Sequence, residues 1–218
     1  MTNMGGLSRA EQQERKALSK AVVGELKRQI RGTGWRISQG WLFREHAGWF
    51  MEVRADVWLG EPRTMVAWRA KPMGLDPVFW DIVGTPNNRE QPLSFRLFGA
   101  WTCSVPALVE AEIPEENRQA ELIAHAVRDW ADAQFEGTEP SRSIDAFVEL
   151  LRNHPRRGHF LASYITALIL THRRDEALAE STAAIERCEA AGFRVSNLTF
   201  PDLAKAWLTS RERDQAVH

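Results

Sequence analysis

The sequence predicts an α+β protein, in which an N-terminal helix packs on an antiparallel sheet and a C-terminal helical region follows. Three observations predict this fold class. Residues 8–31 repeat apolar side chains at helical spacing, and residues 35–113 contain short alternating runs separated by turn residues. From residue 114 onward the alternation stops, and Ala, Glu, Arg and Leu dominate. We therefore expect a helix-plus-sheet domain over residues 1–113, with four to six strands, and a helical region over residues 114–218 docked on it.

The first helix is predicted to begin at Ser8, because Ser8 and Glu11 have the spacing of a capping box. Its apolar stripe recurs every four residues, at Leu18, Val22, Leu26 and Ile30. Three lysines lie largely off that stripe, namely Lys16, Lys20 and Lys27. They belong to a basic excess, since residues 1–31 carry seven Lys and Arg residues against three Glu. A solvated helix face is the simpler explanation of this excess, and a partner-binding surface is the alternative.

Residues 49–70 predict the hairpin around which the sheet is built. In its first strand, apolar residues alternate with charged ones, so the two sets face opposite sides of the sheet. The set predicted to face the core includes Met51, Val53 and Val57, and the opposite set consists of Glu52, Arg54, Asp56 and Trp58. Residues 60–62 supply turn chemistry. The second strand, over residues 63–70, places Met65 and Ala67 on one face and Val66 and Trp68 on the other.

The remaining strands are predicted from apolar and β-branched content. They cover residues 35–37, 41–44, 93–98 and 107–113. Between them, Asp76 and Pro77 are the residue types of a helix N-terminus, with Asp76 as the capping side chain. That short helix should end near Gly84.

The C-terminal helices are predicted from apolar periodicity and from the Gly and Pro residues that end it. They cover residues 114–135, 143–153, 159–171, 174–191 and 201–213. Short connections between them indicate antiparallel neighbours.

Composition bounds the function classes. No run in the 218 residues approaches the roughly 20 apolar residues that span a bilayer, and the N-terminus lacks a signal-peptide pattern, so we expect a cytoplasmic protein. A net charge of −1 favours neither nucleic acid nor membrane as a partner. The two cysteines, Cys103 and Cys188, have no partner at metal-ligand spacing. Both cysteines are expected to be reduced and packed, and a single disulfide between them is the alternative.

Two segments resemble known families. One segment resembles the middle of a tetratricopeptide repeat; it runs from Tyr164 through Thr171-His172-Arg173 to Glu176-Ala177-Leu178. His172 stands where that family usually has glycine. The resemblance implies one helical hairpin near residues 160–191, because no second copy is visible and stacking needs about three repeats. Residues 10–113, with Gly34-Trp35-Arg36 and Leu42-Phe43-Arg44, are similar to a bacterial family of uncharacterised domains with a helix and an antiparallel sheet. Similar small α+β proteins occur as immunity partners of bacterial toxins, which implies a binding role.

No contiguous motif predicts catalysis, a cofactor or a metal. Phosphate-binding loops, the Gly-x-Ser-x-Gly elbow and the His-Glu-x-x-His motif are absent from the sequence. His154 and His159 flank two arginines, which would repel a divalent cation, so we interpret this stretch as an interhelical loop. Glu45 and His46 could do acid–base work, but a turn role is the simpler reading because no nucleophile accompanies them.

Tryptophan is concentrated in the predicted sheet, since seven of the nine lie in residues 35–101. Most should be core, but an aromatic among charged residues is a plausible anchor for a partner protein. We therefore predict a partner-binding face formed by Glu52, Arg54, Asp56, Trp58 and Trp68. The alternative is that the C-terminal helices cover this face. For function, a non-enzymatic protein-binding module, such as a bacterial immunity or accessory protein that occludes its partner, is preferred over a hydrolase-type enzyme with a non-contiguous site.

Overall fold

A computed structural model of the chain describes residues 8–58, 63–97, 99, 101–114, 119–137 and 143–216. The chain divides into two units. The sheet unit comprises residues 1–46, 51–70 and 107–140, and the helical unit comprises residues 47–50, 71–106 and 141–218. This division differs from the predicted boundary after residue 113, because residues 71–106 group with the C-terminal helices and residues 114–140 group with the sheet.

The element order confirms the α+β fold class, with an N-terminal helix, a five-stranded antiparallel sheet and then several helices. The helices are α1 (Arg9–Gln29), α2 (Leu75–Ile82), α3 (Ala120–Gly137), α4 (Ile144–Arg152), α5 (Leu161–Leu170), α6 (Arg174–Glu186) and α7 (Phe200–Ala216). The strands of the sheet are β1 (Arg36–Ser38), β2 (Trp41–His46), β3 (Trp49–Trp58), β4 (Arg63–Pro72) and β5 (Val109–Pro114), which neighbour one another in sequence order. A separate two-stranded ribbon, β6 (Arg194–Val195) and β7 (Leu198–Thr199), interrupts the predicted all-helical region.

Helix α1 begins as predicted. The Ser8 hydroxyl accepts the N–H of Glu11 at 3.3 Å, and the Glu11 carboxylate accepts the N–H of Ser8 at 2.7 Å. Val22 and Leu26 are buried, and α1 lies against α3 and β1. Burial of these side chains, at about 1.5–3 kcal/mol each, fixes which side of the helix faces the sheet unit's core.

Two further predictions, one strand and one helix cap, are wrong. Residues 93–98 were expected to be a strand, but Leu93–Arg96 forms a 3-10 helix that follows Pro92, whose carbonyl accepts the N–H of Phe95 at 2.8 Å. The Asp76 side chain does not cap α2, because that helix begins at Leu75. Leaving a buried carboxylate without a cationic partner costs more free energy than leaving a helix N-terminus without a side-chain cap. The Asp76 carboxylate therefore contacts two cations.

The helical unit contains a buried charge cluster around Asp76, whose side chain is 0% exposed. Its Oδ1 accepts hydrogen bonds from Nζ of Lys71 and from the N–H of Cys103, both at 2.9 Å. Its Oδ2 lies 3.3 Å from the guanidinium of Arg96, which also donates to the carbonyl of Met73 at 2.9 Å. The cluster ties the end of β4 and the segments around residues 96 and 103 to α2.

Helices α5 and α6 form the helical hairpin expected in this region, with the connection at residues 171–173. His172 has a φ of 60°, in the left-handed region. Glycine adopts that conformation without steric cost, whereas a residue with a Cβ atom is strained there. His172 therefore occupies a position that favours glycine.

Candidate functional site

The five-stranded sheet has two faces that differ in chemistry. We define the outer face by the half-buried side chains of Trp41, Arg54, Asp56 and Arg69. The inner face carries Met51, Val53 and Val57, which are buried as predicted, together with Val66 and Trp68. The alternation in β3 thus separates charged from apolar side chains as the sequence indicated.

Trp68 was predicted to share the partner-binding face, and that placement is wrong. Its side chain is 1% exposed and packs edge-on against Trp35, with ring centres 6.0 Å apart. Thr64, Val66 and Ala70 are buried on the same side of β4. The phase of β4 follows this apolar set, because burying it removes more apolar surface from water than burying the opposite set would.

Glu52 is a second correction, since it is only 5% exposed. One carboxylate oxygen lies 3.9 Å from the guanidinium of Arg69, whose side chain is 19% exposed. A carboxylate can be buried when a cation accompanies it. Glu52 therefore supports Arg69 rather than offering a free surface charge. The side chain of Trp58, the other predicted aromatic anchor, lies outside the described residues.

Arg54 and Asp56 are placed as predicted on the accessible part of this face. Nε of Arg54 donates to Oδ1 of Asp56 at 2.8 Å, and both side chains are 43% exposed. The guanidinium carbon of Arg54 lies 5.1 Å from the ring centre of Trp41, and that of Arg69 lies 5.8 Å from it. Two guanidinium groups within about 6 Å of one indole ring make cation–π contacts that hold the ring in place.

Strand β5 extends the outer face. In the antiparallel register, Met65 of β4 pairs with Glu112 and Ala67 pairs with Glu110. Paired residues project to the same side of an antiparallel sheet. Glu110 and Glu112 are exposed, whereas Met65 and Ala67 are half-buried. The outer face thus combines Trp, Met and Arg, the residue types enriched at interface cores, with a carboxylate rim.

Sequence reasoning missed Trp41 and Arg69 as members of this face. A signal was present for Trp41. Trp41 precedes Leu42, which is buried on the inner face, so alternation assigns Trp41 to the outer face. Alternation gave no such signal for Arg69, because it does not say which face of β4 is buried.

On the inner side, α3 contributes a polar cluster to the sheet unit. Nε1 of Trp35 donates to Oδ1 of Asp132 at 2.8 Å, and the guanidinium carbon of Arg44 lies 3.6 Å from the ring centre of Phe135. Burial lowers the pKa of Arg44, and the nearby Asp132 carboxylate counteracts that effect. The cluster fixes α3 against β2.

The three histidines named in the sequence analysis, His46, His154 and His159, each pack against a phenyl ring. The ring of His46 packs edge-on against Phe135, with centres 5.2 Å apart, and among the described residues it makes no hydrogen bond to a carboxylate. His154 and His159 both pack against Phe160, at 4.8 Å and 5.5 Å. These rings are engaged with phenyl groups, as expected of structural histidines.

The helical unit also has a pocket of about 520 Å³ whose lining includes His159 and Ser163. A serine nucleophile must give its proton to a base such as histidine. The hydroxyl of Ser163 instead donates to the carbonyl of Ser104 at 2.5 Å. Ser163 is therefore not arranged as an activated nucleophile.

Within the described ranges, no three His, Cys, Asp or Glu side chains come together in a group that could hold a metal ion. In the same part of the chain, no helix has the length and apolar content to cross a membrane. Comparison with known proteins finds no family model, no curated protein and no solved structure that matches the chain.

Proposed function

We propose that the chain is a non-enzymatic protein-binding module that acts in the cytoplasm, and that the outer face of its sheet is the binding surface. The observation that carries the proposal is the Trp41 ring held by Arg54 and Arg69 on a half-exposed sheet face. Binding hot spots are enriched in Trp and Arg, and they need side chains that are already fixed before the partner arrives.

The partner is a protein with a mixed surface. Around the Trp41 ring the outer face offers the Arg54–Asp56 pair, with the exposed carboxylates Glu110 and Glu112 at its β5 side. A flat apolar partner would remove these charged groups from water without replacing their hydration, which costs several kcal/mol for a buried charge. The fitting partner therefore presents an apolar groove for the indole, with basic side chains opposite the β5 carboxylates.

The biological role that fits such a face is a bacterial immunity or accessory function, in which the module occludes a partner. The resemblance of residues 10–113 to small helix-and-sheet domains supports this role. Occlusion requires only that a rigid surface cover the partner's working site, so it needs no catalytic group in this chain. If the partner is a toxin or enzyme, stoichiometric addition of this protein should abolish its activity.

The test is capture from the native host with matched variants. The full chain, Trp41→Ala/Arg54→Ala and Trp101→Ala are immobilised at equal density, and captured proteins are identified by mass spectrometry. Trp101 is the matched control, because it is a tryptophan with 43% exposure in the helical unit. We expect at least one protein to be retained by the wild type and by Trp101→Ala and lost from the double variant. Retention of every captured protein by the double variant would overturn the proposal.

A further inference from the structure

A second surface of the sheet unit, formed by α1 and the turn between β1 and β2, has a different chemistry from the outer face. It is a groove of about 590 Å³ whose lining includes Arg15, Lys16, Lys20 and Lys27. Lys16, Lys20 and Lys27 are four and seven residues apart, which places them along one side of the helix, and Arg15 adjoins Lys16. The lining also includes Val23 and Gly40.

The charge of the groove is uncompensated among the residues that the structure describes. No carboxylate lines it, and none of its four cations forms an ion pair with a described residue. Two of the three acidic residues of α1 are engaged elsewhere, since Glu11 caps the helix and Glu25 pairs with Arg28, and the third, Glu14, is not among the residues that line the groove. A solvated helix face usually mixes both signs of charge, whereas this groove carries one sign only.

We propose that this groove binds an acidic segment of a partner protein, at a site distinct from the outer face of the sheet. Charge complementarity selects the ligand: four cations attract carboxylates, and the lysine methylene groups with Val23 offer apolar surface to the side chains between them. The site goes beyond the proposed function, because it can bind its ligand whether or not the outer face has a partner.

The dimensions define the ligand. From Gln12 to Lys27 the helix rises by about 23 Å, at about 1.5 Å per residue. An extended peptide covers that length in about seven residues, at about 3.3 Å per residue. The side chains of the groove favour an acidic peptide over single-stranded nucleic acid, because proteins usually bind single strands through aromatic rings that stack on the bases. No aromatic side chain is among the described residues that line the groove.

The experiment measures binding of a fluorescein-labelled peptide of about eight residues that alternates Glu and Leu. Lys20→Glu/Lys27→Glu is compared with Lys205→Glu/Arg156→Glu, which makes the same charge change at exposed positions in the helical unit. Wild-type protein should bind the peptide more tightly at low than at physiological ionic strength. The groove variant should bind about tenfold more weakly, and the control variant should bind as the wild type does. Because Lys20 and Lys27 are both exposed, the circular dichroism spectrum and melting temperature of the groove variant should match those of the wild type.

Three results would overturn the proposal. One is an equal loss of affinity in the groove and control variants, which would indicate a net-charge effect. Another is equal binding of a peptide with Gln in place of Glu. The third is that an oligothymidylate of similar length binds more tightly than the acidic peptide and loses affinity in the groove variant. That result would make the groove a nucleic-acid site. Lys16→Glu is a second groove variant that should also weaken peptide binding.

Discussion

The guanidinium carbon of Arg54 lies 5.1 Å from the ring centre of Trp41, while its Nε donates to Asp56 at 2.8 Å. The arginine therefore connects an aromatic ring to a carboxylate on one sheet face. A tryptophan held in this way loses little conformational freedom when a partner covers it, so its apolar area can contribute to affinity. This relationship is the basis of the binding proposal.

The buried charge cluster should be the most sensitive part of the helical unit. Asp76→Asn would leave Lys71 and Arg96 without their shared carboxylate, and breaking a buried ion pair costs about 3–5 kcal/mol. We expect a large fall in the urea midpoint of unfolding. Asp81→Asn is the control, because Asp81 pairs with Arg89 where both side chains are more exposed. It should cost about 1 kcal/mol or less, and similar losses in both variants would contradict this ranking.

The two cysteines should differ sharply in reactivity. Cys103 is buried, and burial raises the pKa of its thiol, so the reactive thiolate is scarce at neutral pH. Cys188 is exposed. With a chromogenic disulfide reagent, the native protein should react rapidly at Cys188 alone and at both cysteines after unfolding. Cys188→Ser should remove the rapid reaction, and rapid labelling of native Cys103 would contradict its burial.

Replacing His172 by glycine should stabilise the connection between α5 and α6. A left-handed φ of 60° strains a residue with a Cβ atom by about 1–2 kcal/mol, and the greater flexibility of glycine in the unfolded chain offsets about half of that gain. We expect the free energy of unfolding to rise by up to about 1 kcal/mol. His172→Ala keeps the strained conformation and should leave the melting temperature nearly unchanged. A lower melting temperature for His172→Gly would show that the imidazole itself stabilises the turn.

Asp202 should contribute stability that disappears in acid. Its carboxylate accepts hydrogen bonds from the N–H and the hydroxyl of Thr199 at 2.8 and 2.6 Å, and these hold its pKa below the usual value. A lowered folded-state pKa means that the contribution is complete above the unfolded pKa of about 3.9 and is lost as pH falls through the folded pKa. Asp202→Ala should therefore cost about 1 kcal/mol near neutral pH, as a lost helix cap does. In urea titrations the gap to wild type should narrow as the pH falls below the unfolded pKa; a constant gap would contradict this origin.

The parts of the fold that could be predicted from sequence are those governed by local patterns. The capping box at Ser8 and the alternation in β3 each depend on residues close in the chain, and both appear where the sequence indicated. The 3-10 helix at Leu93–Arg96 could not be predicted in this way. Arg96 is held by Asp76 and by the carbonyl of Met73, which are at least twenty residues earlier in the chain.

In the candidate site, too, contacts between residues distant in the chain could not be predicted from sequence. Alternation identified which side chains share a face, but it could not say which face of β4 is buried, so Trp68 was assigned to the wrong side. It also could not predict that Arg69 would neutralise Glu52, because that pair joins two strands. The aromatic residue of the outer face is Trp41, which the sequence placed only within a short strand. Cross-strand contacts decided each of these outcomes.

The most direct test of the binding account is the dissociation constant of the purified complex between this protein and its captured partner, for Trp41→Ala and for Trp101→Ala. Trp41→Ala should weaken binding by about 2 kcal/mol or more, roughly thirtyfold, as loss of a central aromatic anchor does. Its melting temperature should stay close to that of the wild type, because Trp41 is only half-buried. Trp101→Ala should bind as the wild type does. Unchanged affinity in Trp41→Ala, or a loss confined to Trp101→Ala, would contradict the account.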